Sequence, residues 1–204
     1  MKQLLSIVLI VFALNFSSAQ EAYLNVGRNF TTYDYTNSLG EQNPNIESGD
    51  GASYELGLSF PLIDRLSVTT GITLDQYNAT GGDNVNSYSW DTNYLGLQGL
   101  VKYTFLEAKA TPIAAFINAG VNFNHIISGK QKINGQTYDL TKEDEFKGLY
   151  LKTIVGLGLN YFLDDNFALG LSYNFSKNLG LKSNEEELDF TNHQLQFGVL
   201  ISLN

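Results

Sequence analysis

The chain has no cysteine among its 204 residues, three prolines, one tryptophan, and a charged fraction of only 16%. Without cysteine there is no disulfide scaffold, no thiolate metal site, no cysteine nucleophile and no lipid anchor attached through a thiol. An ordinary soluble domain is roughly 25% charged. Here the shortage of charge comes with 13% aromatic residues, nearly all Tyr (12) and Phe (13), which argues against intrinsic disorder. Basic residues number 12 against 21 acidic, a net charge of −9. The basic footprint that phosphate backbones require is missing, so no nucleic-acid partner is expected.

Long apolar runs are also scarce, and the single one stands at the start. Residues 4–14 (LLSIVLIVFAL) are interrupted only by Ser6 and preceded by Lys2, with Ser17 and Ala19 before a cleavage point between Ala19 and Gln20. This is the layout of a secretory signal peptide over 1–19, since eleven residues of helix span only about half of a ~30 Å hydrocarbon core. No later stretch has the ~18 consecutive apolar residues of a spanning helix. The mature domain, 20–204, is expected to be exported without a helical anchor.

What is there instead is alternation. Phe167, Leu169, Leu171, Tyr173 and Phe175 fall on one face of a strand, and Ala168, Gly170, Ser172, Asn174 and Ser176 on the other. The pattern recurs at 66–75 and 194–203, and at 53–63, 93–106, 111–128 and 149–163. It is less clean at 22–35, where Arg28 shares parity with Leu24, Val26 and Phe30. Eight strands are predicted and no amphipathic helix of comparable strength. Their connections alternate too. Short turns at 64–65, 107–110 and 164–166 separate long polar segments at 36–51, 81–92, 129–148 and 178–191. Such a meander describes an all-β, eight-stranded antiparallel up-and-down transmembrane barrel, with short turns on the periplasmic side and long loops outside. Asn134–Gly135 marks a hairpin within the third long loop.

A soluble, lipocalin-like barrel alternates as well, but with its apolar face inward. The polar face decides. It is mostly Gly, Ser, Thr, Asn and Gln, with charges only at Glu55, Asp75, Lys102 and Lys152, where a water-facing strand would carry many Lys and Glu. Small polar groups suit the crowded lumen of an eight-stranded barrel. Tyr54 and Phe175 toward the loops, and Phe60, Phe105 and Tyr161 toward the turns, match two interfacial girdles. Four Leu-Gly-Leu triplets, centred on Gly57, Gly96, Gly158 and Gly170, put Gly on the lumen face, where it lets a bulky neighbour across the barrel, such as Phe116 or Phe162, fill the bore.

With its leader, strand count, loop alternation and Leu-Gly-Leu strands, the chain from Gln20 to Asn204 resembles the small outer-membrane β-barrel proteins of Gram-negative bacteria. Within these it is similar to the "outer membrane protein beta-barrel domain" group common in Bacteroidota, including PorT-like proteins. The resemblance implies a place in the cell outer membrane, contact with its lipids and lipopolysaccharide, and insertion by the barrel assembly machinery. That machinery reads a last strand usually ending in an aromatic residue; this chain ends Leu200-Ile201-Ser202-Leu203-Asn204.

Glu55, Asp75 and Lys152 share lumen parity toward the loop end, and a buried charge is costly unless paired, so an ionic network is expected near the outer mouth. Lys102 lies lower, lacks an obvious acidic partner, and points to the periplasmic mouth. His125 and His193 have lipid-face parity near the outer rim. Some outer-membrane barrels are lipid A hydrolases with a His and a Ser, but alternation puts Ser128 on the face opposite His125, and a nucleophile and its base must approach within about 3 Å. No catalytic site, cofactor or metal site is expected. The acidic runs 185–187 with Asp189, and 143–145, read as solvated loops rather than calcium ligands. Trp90 is an interface anchor or an exposed contact. Arg28 on the lipid face requires outer headgroups or a shifted register, since mid-bilayer charge costs about 2–4 kcal/mol. The expected role is structural or interactive, through loops that meet an external protein or glycan. The alternatives are a transport or secretion accessory barrel, a lipid A-modifying enzyme and a soluble binder.

Overall fold

The computed structural model describes residues 21–36, 46–82, 87–108, 111–142, 148–179 and 187–203. The leader with its cleavage point, the acidic run 143–145, and residues 185 and 186 lie outside them. Nine strands follow in chain order: β1 Glu21–Thr36, β2 Ile46–Ile63, β3 Leu66–Gly82, β4 Ser87–Leu106, β5 Ile113–Ile133, β6 Gln136–Asp139, β7 Leu149–Phe162, β8 Phe167–Leu179 and β9 Glu187–Ser202. Eight of them form the wall, each antiparallel to its sequence neighbour, and β9 returns to pair with β1 and close it. β6 pairs only with the upper part of β5.

Closure carries a stagger. From Val26 the ladder runs through Tyr54, Leu74, Leu95 and His125 to Leu149. In the other direction it runs through Phe197 and Leu171 to Leu159 on the same strand β7. The ten-residue offset between Leu149 and Leu159 is the shear that makes the strands tilt in a closed barrel.

The faces are those of a membrane barrel. Leu56 is 63% exposed and Phe197 62%, with Leu24, Leu97, Leu157 and Leu169 close behind, while Asn29, Asn122, Asn124 and Asn192 are buried inside. The soluble-barrel alternative requires the reverse. Of the expected girdle, Tyr54, Phe105 and Tyr161 are exposed, and Phe60 and Phe175 partly so.

The connections differ from expectation in one respect. Parts of the long segments read as loops are strand: β3 and β4 stay paired up to Gly82 and Ser87, and β4 and β5 up to Tyr88 and Ile133. Alternation fades above the lipid because neither face meets hydrocarbon there, yet the ladder continues. The Asn134–Gly135 turn is present, with positive φ at both residues (49° and 83°), as a tight two-residue hairpin requires. At the short turns, Asp164 Oδ1 accepts the amides of Asn166 (2.7 Å) and Phe167 (2.8 Å). Arg65 pairs with Glu107 across 3.2 Å, and that carboxylate holds the guanidinium's pKa above its ordinary value.

Two glycines of the Leu-Gly-Leu triplets show why the lumen needs them. Gly57 faces Tyr23 in register, and a Cβ there would lie 2.5 Å from the tyrosine Cζ. Gly158 faces Phe116, whose Cζ would be 2.3 Å away. The bulky partner of each is its cross-strand neighbour rather than a side chain across the bore. Phe162 packs instead with Tyr23, Ala168 and Leu200 at the turn end.

Candidate functional site

The bore is stratified. At the loop end Tyr33, Tyr77, Tyr94, Ile126, Tyr150 and Phe190 converge from six wall strands with Ala79, all buried. Tyr77 sits 5.2 Å from Tyr94 and 5.1 Å from Phe190, ring centre to ring centre, a spacing favourable for tilted aromatic pairs. Leu140, on the 3₁₀ turn that follows β6, folds back into this cluster and is buried, so the third loop rises as a hairpin and then closes the mouth. Its Asp139 accepts from Thr141 and pairs with Lys142, which holds the carboxyl below the usual carboxylate range. Trp90, half-buried, stacks on Tyr33 and Tyr88, each at 6.2 Å, over the plug.

Directly beneath lies an ion pair. Lys152 Nζ is 3.6 Å from Asp75 Oδ2 and donates to the Tyr77 hydroxyl (2.5 Å), which donates in turn to Asp75 Oδ2 (3.0 Å). Asp75 Oδ1 accepts from Asn29 (3.3 Å) and Gln194 (3.2 Å). Every side of the carboxylate is therefore met by a donor, which is the condition under which a buried pair holds.

Glu55 is not in that pair. It lies deeper, opposite Thr73 rather than Asp75 in the register, and accepts from Tyr23 (2.7 Å), Gln98 (2.6 Å) and Asn25 (3.2 Å). The expected three-member network is thus a Lys152–Asp75 pair and a separate carboxylate. Lys102, for which the sequence suggested no partner, lies 3.5 Å from Glu21 at the start of β1 and over the Phe116 ring. Glu21 precedes the first alternating residue and went unread for that reason.

Below Glu55 the packing opens into a cavity of about 60 Å³, and past Lys102 into a mouth of about 590 Å³ at the turn end. Several amide atoms are buried without a partner: both polar atoms of Asn124 and of Asn178, Oδ1 of Asn122 and, on the cavity wall, Oδ1 of Asn118. Nothing in the alternation marks these, because parity gives the face of an Asn and not its neighbours.

Outside the barrel, Arg28 pairs with Asp50 on β2 at 2.6 Å, both exposed, which answers its lipid-facing parity with a counter-charge. His193 accepts or donates at 2.6 Å to the Tyr173 hydroxyl, and its ring packs on Phe175. Ser128 corrects the alternation: a bulge at Ile127 separates the Tyr94–Ile126 and Asn93–Ser128 pairs, so Ser128 is exposed on the same side as His125. The two are nevertheless bonded elsewhere, His125 Nδ1 to Gly148 O (2.9 Å) and Ser128 Oγ to Asn93 Nδ2 (3.0 Å). Among the described residues no three His, Asp or Glu side chains come together as metal ligands.

The family model described as "Outer membrane protein beta-barrel domain" matches residues 4–200. No curated protein matches the sequence. Among solved structures, the chain is similar to the Neisserial surface protein A (NspA) at 15% identity and TM-score 0.52, covering 88% of this chain and 97% of that one. It is similar to the outer membrane protein OprG from Pseudomonas aeruginosa at 13% identity and TM-score 0.52, covering 90% and 97%. The outer membrane enzyme PagL matches at 15% identity over 83% of this chain and 97% of that one, with a TM-score of 0.38. At these identities the likeness is one of fold.

Proposed function

The chain belongs to the outer membrane protein beta-barrel domain family and resides in the cell outer membrane, and we propose that it acts there as a filled barrel with a structural or interaction role. The observation that carries this reading is the plug: eight side chains, Leu140 among them, and the Lys152–Asp75 pair occupy the loop-side bore. An eight-stranded barrel is just wide enough for side chains to fill. The wall above the lipid, with the β5–β6 hairpin as part of it, is then the surface left for an external protein or glycan. Outer-membrane lipids and lipopolysaccharide surround the wall, and the barrel assembly machinery inserts it.

The role is proposed as non-enzymatic because His125 and Ser128, a His and a Ser on a common outer face, are each bonded to another partner. Planar-bilayer recording tests the plug. The expected outcome is no sustained conductance from the refolded barrel, and steady channel steps would favour the transport or secretion accessory role instead.

A further inference from the structure

Five charged side chains line the bore among those described, and they do not balance. Lys152 is committed to Asp75 and Tyr77, and Lys102 to Glu21. That leaves Glu55, 5% exposed, with three hydrogen-bond donors, all of them neutral: a tyrosine hydroxyl and two carboxamides. Neutral donors orient a carboxylate without cancelling its charge, and an uncompensated buried charge is costly. The cavity of about 60 Å³ that Glu55 lines has room for several water-sized particles. Its wall also carries Asn118, 9% exposed, whose Oδ1 is buried and accepts no hydrogen bond. Asn160, Asn174, Ser172 and Gln196 add further oxygen-bearing side chains.

We propose that this cavity is a binding site for one small monovalent cation, sodium or potassium, held by the Glu55 carboxylate and the Asn118 carbonyl oxygen. The chemistry of the wall selects that class. Hard cations take oxygen ligands, and calcium sites of useful affinity gather several carboxylates. One carboxylate among neutral amides and hydroxyls, with Lys102 on the same wall already paired to Glu21, matches one positive charge. The cavity adjoins the open mouth of about 590 Å³ at the turn end, with Lys102 and Asn160 lining both. The site supplies the counter-charge that Lys152, bound to Asp75, does not.

A ligand that binds only the folded barrel raises its unfolding midpoint. The refolded protein is heated in dodecyl maltoside at equal ionic strength in sodium, potassium or N-methylglucamine chloride, and the folded fraction is read from its gel mobility without boiling. The expected result is a midpoint higher by on the order of 2–4 °C in sodium or potassium than in the large organic cation. That difference should vanish in Glu55→Gln. Equal midpoints in all three salts, or a difference that survives Glu55→Gln, would overturn the proposal; a carboxyl that simply holds a proton gives the first of these. Should Glu55→Gln not fold, sodium NMR line widths decide: broadening by the wild type that Asn118→Leu reduces supports the site, and no broadening by the wild type refutes it.

Discussion

In the loop-side half of the bore, eight buried apolar residues sit over an ion pair whose carboxylate is met on every side. In the turn-side half, Tyr23, Ala168 and Leu200 form the buried apolar cluster found among the described residues, and a carboxylate faces a cavity. One wall encloses both, so the difference lies in what the strands carry inward: a packed aromatic cluster above, and Asn, Gln and Gly around Tyr23 and Phe116 below. The upper half is built like a protein core turned into a stopper. The lower half is a polar chamber whose charge is only partly answered by the chain itself. Closure to an external solute and tolerance of a buried charge are thus separate properties of separate halves.

The sharpest way to break this contrast is at the upper ion pair. Lys152→Ala leaves Asp75 buried without its cation, and removing one partner of a buried pair costs about 3–5 kcal/mol. Urea unfolding followed by the fluorescence of Trp90, the only tryptophan, should show the loss. Recovery in a Lys152→Met, Asp75→Asn double variant would identify the stranded charge as the cause. A middle-sized effect belongs to the lower chamber. Gly158→Ala drives a methyl into the Phe116 ring, an overpacking expected to cost about 1–3 kcal/mol. Gly99→Ala, where a Cβ would meet nothing within 4 Å, should change the same unfolding curve little. The smallest effect is expected at the mouth: Lys102→Met breaks a 3.5 Å pair whose partners keep some access to solvent, a loss of at most about 1 kcal/mol. A cost at Lys102 equal to that at Lys152 would erase the distinction between the halves.

How much of this was legible depended on the range of the signal. Alternation along 167–176 told which side chains face lipid, because successive residues of a strand point to opposite faces whatever the partner strand does. Asn134–Gly135 told where the chain reverses, because few residues accept positive φ in succession. Ser128 was misplaced because a bulge at Ile127 changes the parity of everything beyond it, and a bulge leaves no mark in the alternation of one strand. Arg28 looked like a contradiction until Asp50, within a segment read as loop, proved to stand beside it.

The charges in the bore show the same limit. Glu55, Asp75 and Lys152 share a parity, so all three face inward; which of them meet is set by the ten-residue stagger of the closed barrel. That stagger brings Lys152 to Asp75 and leaves Glu55 opposite Thr73, one level down. By itself the order of residues determined the strands, their two faces and the positions of the tight turns, since these follow from backbone geometry within a few residues. Only the tertiary structure decided the pairing of lumen charges, the return of Leu140 into the mouth and the cavity beneath Glu55. Each of these joins residues far apart in the chain, and their separation in space is measured across the circle of strands.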